Sequence, residues 1–168
     1  MSEVAEKHIK DTELDTKWKY EVTKMLGVER LLRCYQCGTC TASCPVSRFN
    51  YAYGPRRIIR MIQLGLKDRL LRHNLDLVWL CSYCYLCEER CPQDVRFPEV
   101  VTALRNMAVE TGRIHPSYTK LATLVAEQGR IYDVDDFMNM RRKRLGLPPI
   151  QIDKTVWNVV GQLLRLKK

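Results

Sequence analysis

The sequence predicts a mainly α-helical fold, and three observations carry that expectation. Apolar residues recur three and four positions apart along most of the chain, the spacing that lines one face of a helix. The stretches that carry them open at proline and close at glycine, the asymmetry expected of helix ends. The 36 residues between Cys44 and Cys81 lack the strict apolar–polar alternation of a strand.

The elements follow in chain order. Leu14, Trp18, Val22 and Met25 share a helical face near the N-terminus. In YGPRRIIRMIQLG, Pro55 suits a first helical position, Ile58, Ile59, Ile62 and Leu66 fall on one side, and Gly65 marks the stop. LKDRLLRHNLDLVWL continues in helical register towards Cys81. In FPEVVTALRNMAVETG, Pro98 opens a helix, Val100, Val101, Leu104, Met107 and Ala108 recur along it, and Gly112 closes it. Ser117 is the expected cap of the next helix, which carries Leu121, Leu124 and Val125 and ends at Gly129. Asp135 and Asp136 open a segment that runs to Arg141–Arg142–Lys143–Arg144, charges that complement the helix dipole at both ends. Val156, Trp157, Val160, Leu163 and Leu164 form a stripe on a last short helix. The other stripes read as core faces, whereas this one follows a Pro–Pro break and is free to pack on another chain. The expected organisation is an N-terminal helical extension over 1–29, a central domain over 30–115 and a C-terminal helical arm over 116–168.

Composition excludes several classes. Hydrophobic residues at 46% argue against disorder, and 28% charged residues fit a soluble protein. No run approaches the roughly 18 apolar residues of a membrane span. The start, MSEVAEKHIKDTELD, is charged and lacks the apolar stretch of an export signal. A cytoplasmic location is expected, and there the eight cysteines stay reduced rather than forming a disulfide scaffold.

Their spacing is the strongest signal in the chain. Cys34, Cys37, Cys40 and Cys44 follow C-x2-C-x2-C-x3-C, and Cys81, Cys84, Cys87 and Cys91 repeat it 47 residues later. Each ladder is closed by a proline, Pro45 or Pro92, and no cysteine is left over. This is the bacterial ferredoxin run, in which three cysteines hold one [4Fe–4S] cluster and the fourth ligates the other. If that crossed arrangement holds, one cluster takes Cys34, Cys37, Cys40 and Cys91, and the second takes Cys81, Cys84, Cys87 and Cys44. Two zinc sites would also use eight thiolates, but zinc modules pair C-x2-C units across a longer gap. Gly38 would relieve crowding in the first loop, and Tyr83, Tyr85 and Leu86 would shield the second from water.

The stretch RCYQCGTCTASCPVSRFNYAYGPRRIIRMIQLGL, followed by LVWLCSYCYLCEERCPQDV and VVTALRNMA, resembles the small iron–sulfur subunit family of heterodisulfide reductase, HdrC. The similarity covers roughly residues 30 to 115. It implies an α-helical ferredoxin fold around two [4Fe–4S] clusters. It also implies a relay of single electrons from a flavin-bearing Hdr A-type subunit to an Hdr B-type subunit, whose CCG motifs carry the disulfide chemistry. This chain has no adjacent cysteine pair, so no catalytic residue is expected in it and the B-type partner must be a separate chain. In methanogens the resemblance implies the CoM-S-S-CoB heterodisulfide as terminal substrate. Related Hdr-like complexes serve sulfur oxidation and sulfate reduction, and a less specialised ferredoxin-like carrier is a further alternative.

His8, His73 and His115 have no ligand spacing and read as structural, and Tyr35 and Trp79 read as packing groups. The 28 Lys+Arg against 19 Asp+Glu give a formal net charge of +9. Nucleic acid is not the expected partner, because the basic residues are not expected to be interleaved with exposed aromatics. Two oxidised clusters with their thiolates would each add about −2, leaving about +5. Arg56, Arg57, Arg60, Lys67, Arg69 and Arg72 then read as counter-charge to the clusters and to an acidic partner.

Overall fold

The computed structural model describes residues 14–150 except 74 and 133, and the side chains of 72–76 and 128 are also outside the description. The stripe at 156–164 and His8 therefore lie outside the described residues. The described residues contain no strand, in agreement with the mainly α-helical expectation. The chain divides into two compact units, residues 1–113 and 114–168.

The first unit holds α1 (Trp18–Thr23), α2 (Thr39–Ser43), α3 (Pro45–Phe49), α4 (Pro55–Gln63), α5 (Leu75–Trp79), α6 (Leu86–Glu89) and α7 (Phe97–Glu110), with a π-helical turn at Arg69–His73. The LKDRLLRHNLDLVWL stretch is helical over Arg69–His73 and Leu75–Trp79, as expected. Pro55 sits in the first turn of α4 and Pro98 in that of α7, where a missing N–H leaves no hydrogen bond unmade. Ile58, Ile59 and Ile62 of α4 pack with Trp18 and Val22 of α1 and with Val100, Val101 and Leu104 of α7 in one core. Each such side chain contributes about 1.5–3 kcal/mol by leaving water. Leu14 departs from its expected face: it precedes α1 and is exposed.

Gly65 ends α4 in a left-handed turn, with φ +77°. The turn presses against the N-terminal segment. Asp15 N–H donates to the Gly65 carbonyl at 2.9 Å, and a Cβ on Gly65 would stand 2.2 Å from the Asp15 carbonyl oxygen. No helix among the described residues is long and apolar enough to cross a membrane.

The second unit holds α8 (Pro116–Gln128) and α9 (Asp136–Arg144). Its α8 cap is His115, whose Nδ1 accepts from Ser117 N–H at 3.3 Å. The expected cap, Ser117, lies inside the helix because Pro116 takes the first helical position. Asp135 caps α9 as expected, accepting from Met138 N–H at 2.7 Å. Asn139 then holds the returning chain, its side-chain oxygen accepting from Ile150 N–H at 2.9 Å. Among its described residues none is buried, so the Leu121–Leu124–Val125 stripe is not a core face within this unit.

Candidate cluster-binding site

The repeat in sequence is a repeat in backbone. Gln36 and Tyr83, 47 residues apart, both take positive φ (66° and 51°). Gly38 and Tyr85, again 47 apart, do the same (87° and 61°). Each of the latter pair opens a short helix: Thr41 and Ala42 N–H donate to the Gly38 carbonyl, and Glu88 and Glu89 N–H donate to that of Tyr85. Gly38 meets the left-handed demand of this turn without a Cβ. A Cβ there would meet the Arg56 side chain, Nη1 at 3.5 Å and Cδ at 3.8 Å, both ordinary contacts.

Helices α2 and α6 pack against each other, and Arg90 Nη1 donates to Ser43 Oγ across them at 3.3 Å. These two residues precede the fourth cysteine of their ladders. The pairing brings the ladders together and folds them around two cavities. One is lined by Cys34, Cys37, Cys40 and Cys91 and walled by Ile59, Val95 and Phe97. The other is lined by Cys44, Cys81, Cys84 and Cys87 and walled by Tyr53, Phe97 and Pro98. Each cavity thus gathers three cysteines of one ladder and the last of the other. Cys87 also reaches the wall of the first cavity, so it stands between them.

Burial grades the thiols. Cys37 and Cys84, the second rung of each ladder, are exposed, whereas Cys44 and Cys87 are buried. Desolvation pushes the Cys34 and Cys40 thiols above their ordinary pKa. At Cys87, burial and the neighbouring Cys81 and Cys40 push it up to about 12. Cys37 moves the other way, held down chiefly by a hydrogen bond with the Thr39 hydroxyl, whose oxygen is 3.4 Å from Sγ. Further donors aim at sulfur: Gln36 Nε2 reaches Cys34 Sγ at 3.6 Å and Val95 N–H reaches Cys91 Sγ at 3.3 Å.

Crowded thiols of this kind cannot ionise together without a strongly positive centre among them. Among the described residues no three His, Cys, Asp or Glu side chains converge on a point one metal ion could occupy; the thiols ring cavities instead. Four soft sulfur donors around an apolar cavity, met by N–H and O–H groups, fit an iron–sulfur cluster.

Tyr83 and Tyr85 line the second cavity as expected, but Leu86 does not and is partly exposed. Tyr35 is no packing group: it is 60% exposed beside Cys37. Contrary to expectation, basic residues do sit beside exposed aromatics. Arg56 and Arg60 line one groove with Lys19 and Tyr35, and a second with Arg57 and Tyr51.

Several residues at the site went unforeseen, three of them from elements outside the ladders. Tyr53 is buried, its pKa raised first by desolvation and then by neighbouring Cys81, Cys44 and Cys87. Gln63 Nε2 donates to the Cys34 carbonyl at 3.0 Å and its oxygen accepts from Gln36 at 3.1 Å. Arg105 donates to the Cys81 carbonyl at 3.1 Å. Only Arg105 left a trace, a charge four residues after the core residue Val101.

The 4Fe-4S dicluster domain family matches residues 30–95. The chain is 40% identical to the second C-type iron–sulfur subunit of CoB--CoM heterodisulfide reductase from Methanocaldococcus jannaschii, over 72% of this chain and 63% of the relative. It is 37% identical to the C-type iron–sulfur subunit of the same reductase from Methanopyrus kandleri, over 78% and 65%. It is 38% identical to the C-type subunit of ferredoxin:CoB-CoM heterodisulfide reductase from Methanosarcina mazei, over 77% and 78%. The chain spans just under two thirds of the length of the first two relatives. With eight cysteines in a dicluster domain, its cofactors are two [4Fe–4S] clusters. The chain belongs to the HdrC family, the small iron–sulfur subunits of heterodisulfide reductase.

Proposed function

We propose that the chain is the electron-relay subunit of a heterodisulfide reductase complex. In that role it carries single electrons from a flavin- and cluster-bearing A-type subunit to a disulfide-reducing B-type subunit, with CoM-S-S-CoB as terminal substrate. The observation that carries this reading is that each cavity collects thiols from both ladders. Cys34, Cys37, Cys40 and Cys91 would hold one cluster, and Cys81, Cys84, Cys87 and Cys44 the other. Bound there, each cluster gains or loses one electron at a time.

The protein's own residues supply the rest. Phe97, reaching both cavities, keeps water from the space between them. Gln36, Thr39 and Val95 present hydrogen atoms to sulfurs of the first site, which stabilises extra negative charge there. The exposed Cys37 and Cys84 are the two places where each site comes closest to solvent and hence to a partner. The chain lacks a Cys–Cys pair, which supports assigning the disulfide chemistry to another subunit, in the cytoplasm. The organisation into an extension (1–29), a cluster domain (30–115) and an arm (116–168) belongs to the same proposal.

Native purification without oxygen tests this. The chain should hold about eight irons and travel with a CCG-bearing partner. Stoichiometric zinc without iron would overturn the cluster assignment, and a stable partner-free monomer would overturn the subunit role.

A further inference from the structure

Arg105 lies on α7, 24 residues beyond Cys81, the cysteine it serves. Its guanidinium sits between two aromatic rings, 5.0 Å from the Trp79 centroid and 4.7 Å from that of Tyr83. Nε donates to the Val78 carbonyl, and Nη2 donates to those of Trp79 and Cys81, each at 3.1 Å. Val78 and Trp79 end α5, where carbonyls lack helical partners. Capping alone would explain those two bonds. It does not explain the third, which reaches past the helix to the first rung of the ladder.

The other ladder shows what a neutral solution looks like. Cys34 is the counterpart of Cys81, 47 residues earlier, and its carbonyl accepts from the uncharged amide of Gln63 at 3.0 Å. The position equivalent to Arg105 is Ile58, fully buried. Arg56 does line the first cavity, but it is exposed and water screens it. Arg105 is half-buried between rings, where screening is weaker and the charge is permanent.

We propose that Arg105 is a positioning residue of the second ladder: stacked between Trp79 and Tyr83, it fixes the Cys81 loop and raises the reduction potential of the cluster held there. A fixed cation stabilises the reduced, more negative state of a one-electron couple, so the second-ladder site becomes the better electron acceptor of the pair. This rests on the assignment of Cys81 to that site. Gln63 gives the first site its rigid loop without the charge.

The test is an anaerobic redox titration of the iron-loaded full-length protein, followed by electron paramagnetic resonance, with iron counted in every sample. Arg105→Gln should shift one couple about tenfold towards the oxidised form, about 59 mV lower for one electron, and leave the other in place. Arg105→Lys, which keeps the charge but loses the fork and the stacking, should shift that couple clearly less than Arg105→Gln does. Gln63→Leu should move only the other couple. If Arg105→Gln lowers thermal stability while both couples stay put, the residue is a structural cap and the proposal falls. Should Arg105→Gln fail to load iron, Arg105→Lys decides: a shift of about tenfold there shows that charge is not the cause. A parent protein without two clusters would instead refute the cluster reading itself.

Discussion

At Gly38 the first ladder makes a left-handed turn on a residue without a Cβ, and 47 residues later Tyr85 makes the same turn carrying an aromatic ring. The turn starts α2 in one case and α6 in the other. What the two halves share is backbone: the positive-φ positions, the short helices, and the last cysteine handed to the other cavity. What they do not share is chemistry around that backbone. The first site has an exposed arginine, a glutamine pair and an exposed tyrosine. The second has buried Tyr53, the Tyr83 and Tyr85 rings and a stacked arginine. A ladder therefore specifies where thiols go, and the residues outside it give two like sites unlike surroundings.

Ligand substitution would break this comparison most severely. Cys91→Ser should remove the cluster on the Cys34 side and spare that of its own ladder, so iron should fall from about eight to about four per chain. Spectra that place the damage at the second ladder would mean each ladder serves itself. The helix stops differ next. Gly65 and Gly112 both end a helix at positive φ, but nothing lies within 4 Å of a Cβ at Gly112, whereas one at Gly65 meets Asp15. Gly65→Ala should destabilise by about 3 kcal/mol, and Gly112→Ala by only about 1 kcal/mol, as read from denaturant midpoints.

Two smaller effects sharpen the comparison further. Tyr85→Gly gives the second ladder the residue of the first. Relief of the left-handed strain and the added freedom of the unfolded chain offset one another, so stability should change by less than about 1 kcal/mol. Air oxidation of the adjoining cluster, followed by loss of visible absorbance, should nonetheless quicken severalfold. Ser43→Ala removes the bond between the halves and should cost about 1 kcal/mol in thermal unfolding. In an Arg90→Met background it should cost less.

Much of this was legible in the sequence because it is local. The Pro55 and Pro98 starts, the Gly65 and Gly112 stops and the buried faces of α4 and α7 depend on neighbours within a turn or two. The eight thiols were legible through their spacing. Gln63, Tyr53 and Arg105 were not, since each reaches the site from a separate element and no spacing rule links them to a cysteine. Tyr85 hid for another reason: left-handed φ on a non-glycine residue leaves no mark in composition. Ser117 lost the cap because Pro116 fixed the helix start one residue earlier. The stripe on α8 has the period of a core face, yet period alone does not say what will cover it.

The central claim is that each site takes thiols from both ladders. Anomalous diffraction at the iron absorption edge, from crystals grown without oxygen, tests it most directly. Two iron centres are expected, one ringed by Cys34, Cys37, Cys40 and Cys91 and the other by Cys81, Cys84, Cys87 and Cys44. Centres each ringed by the four cysteines of a single ladder would contradict it.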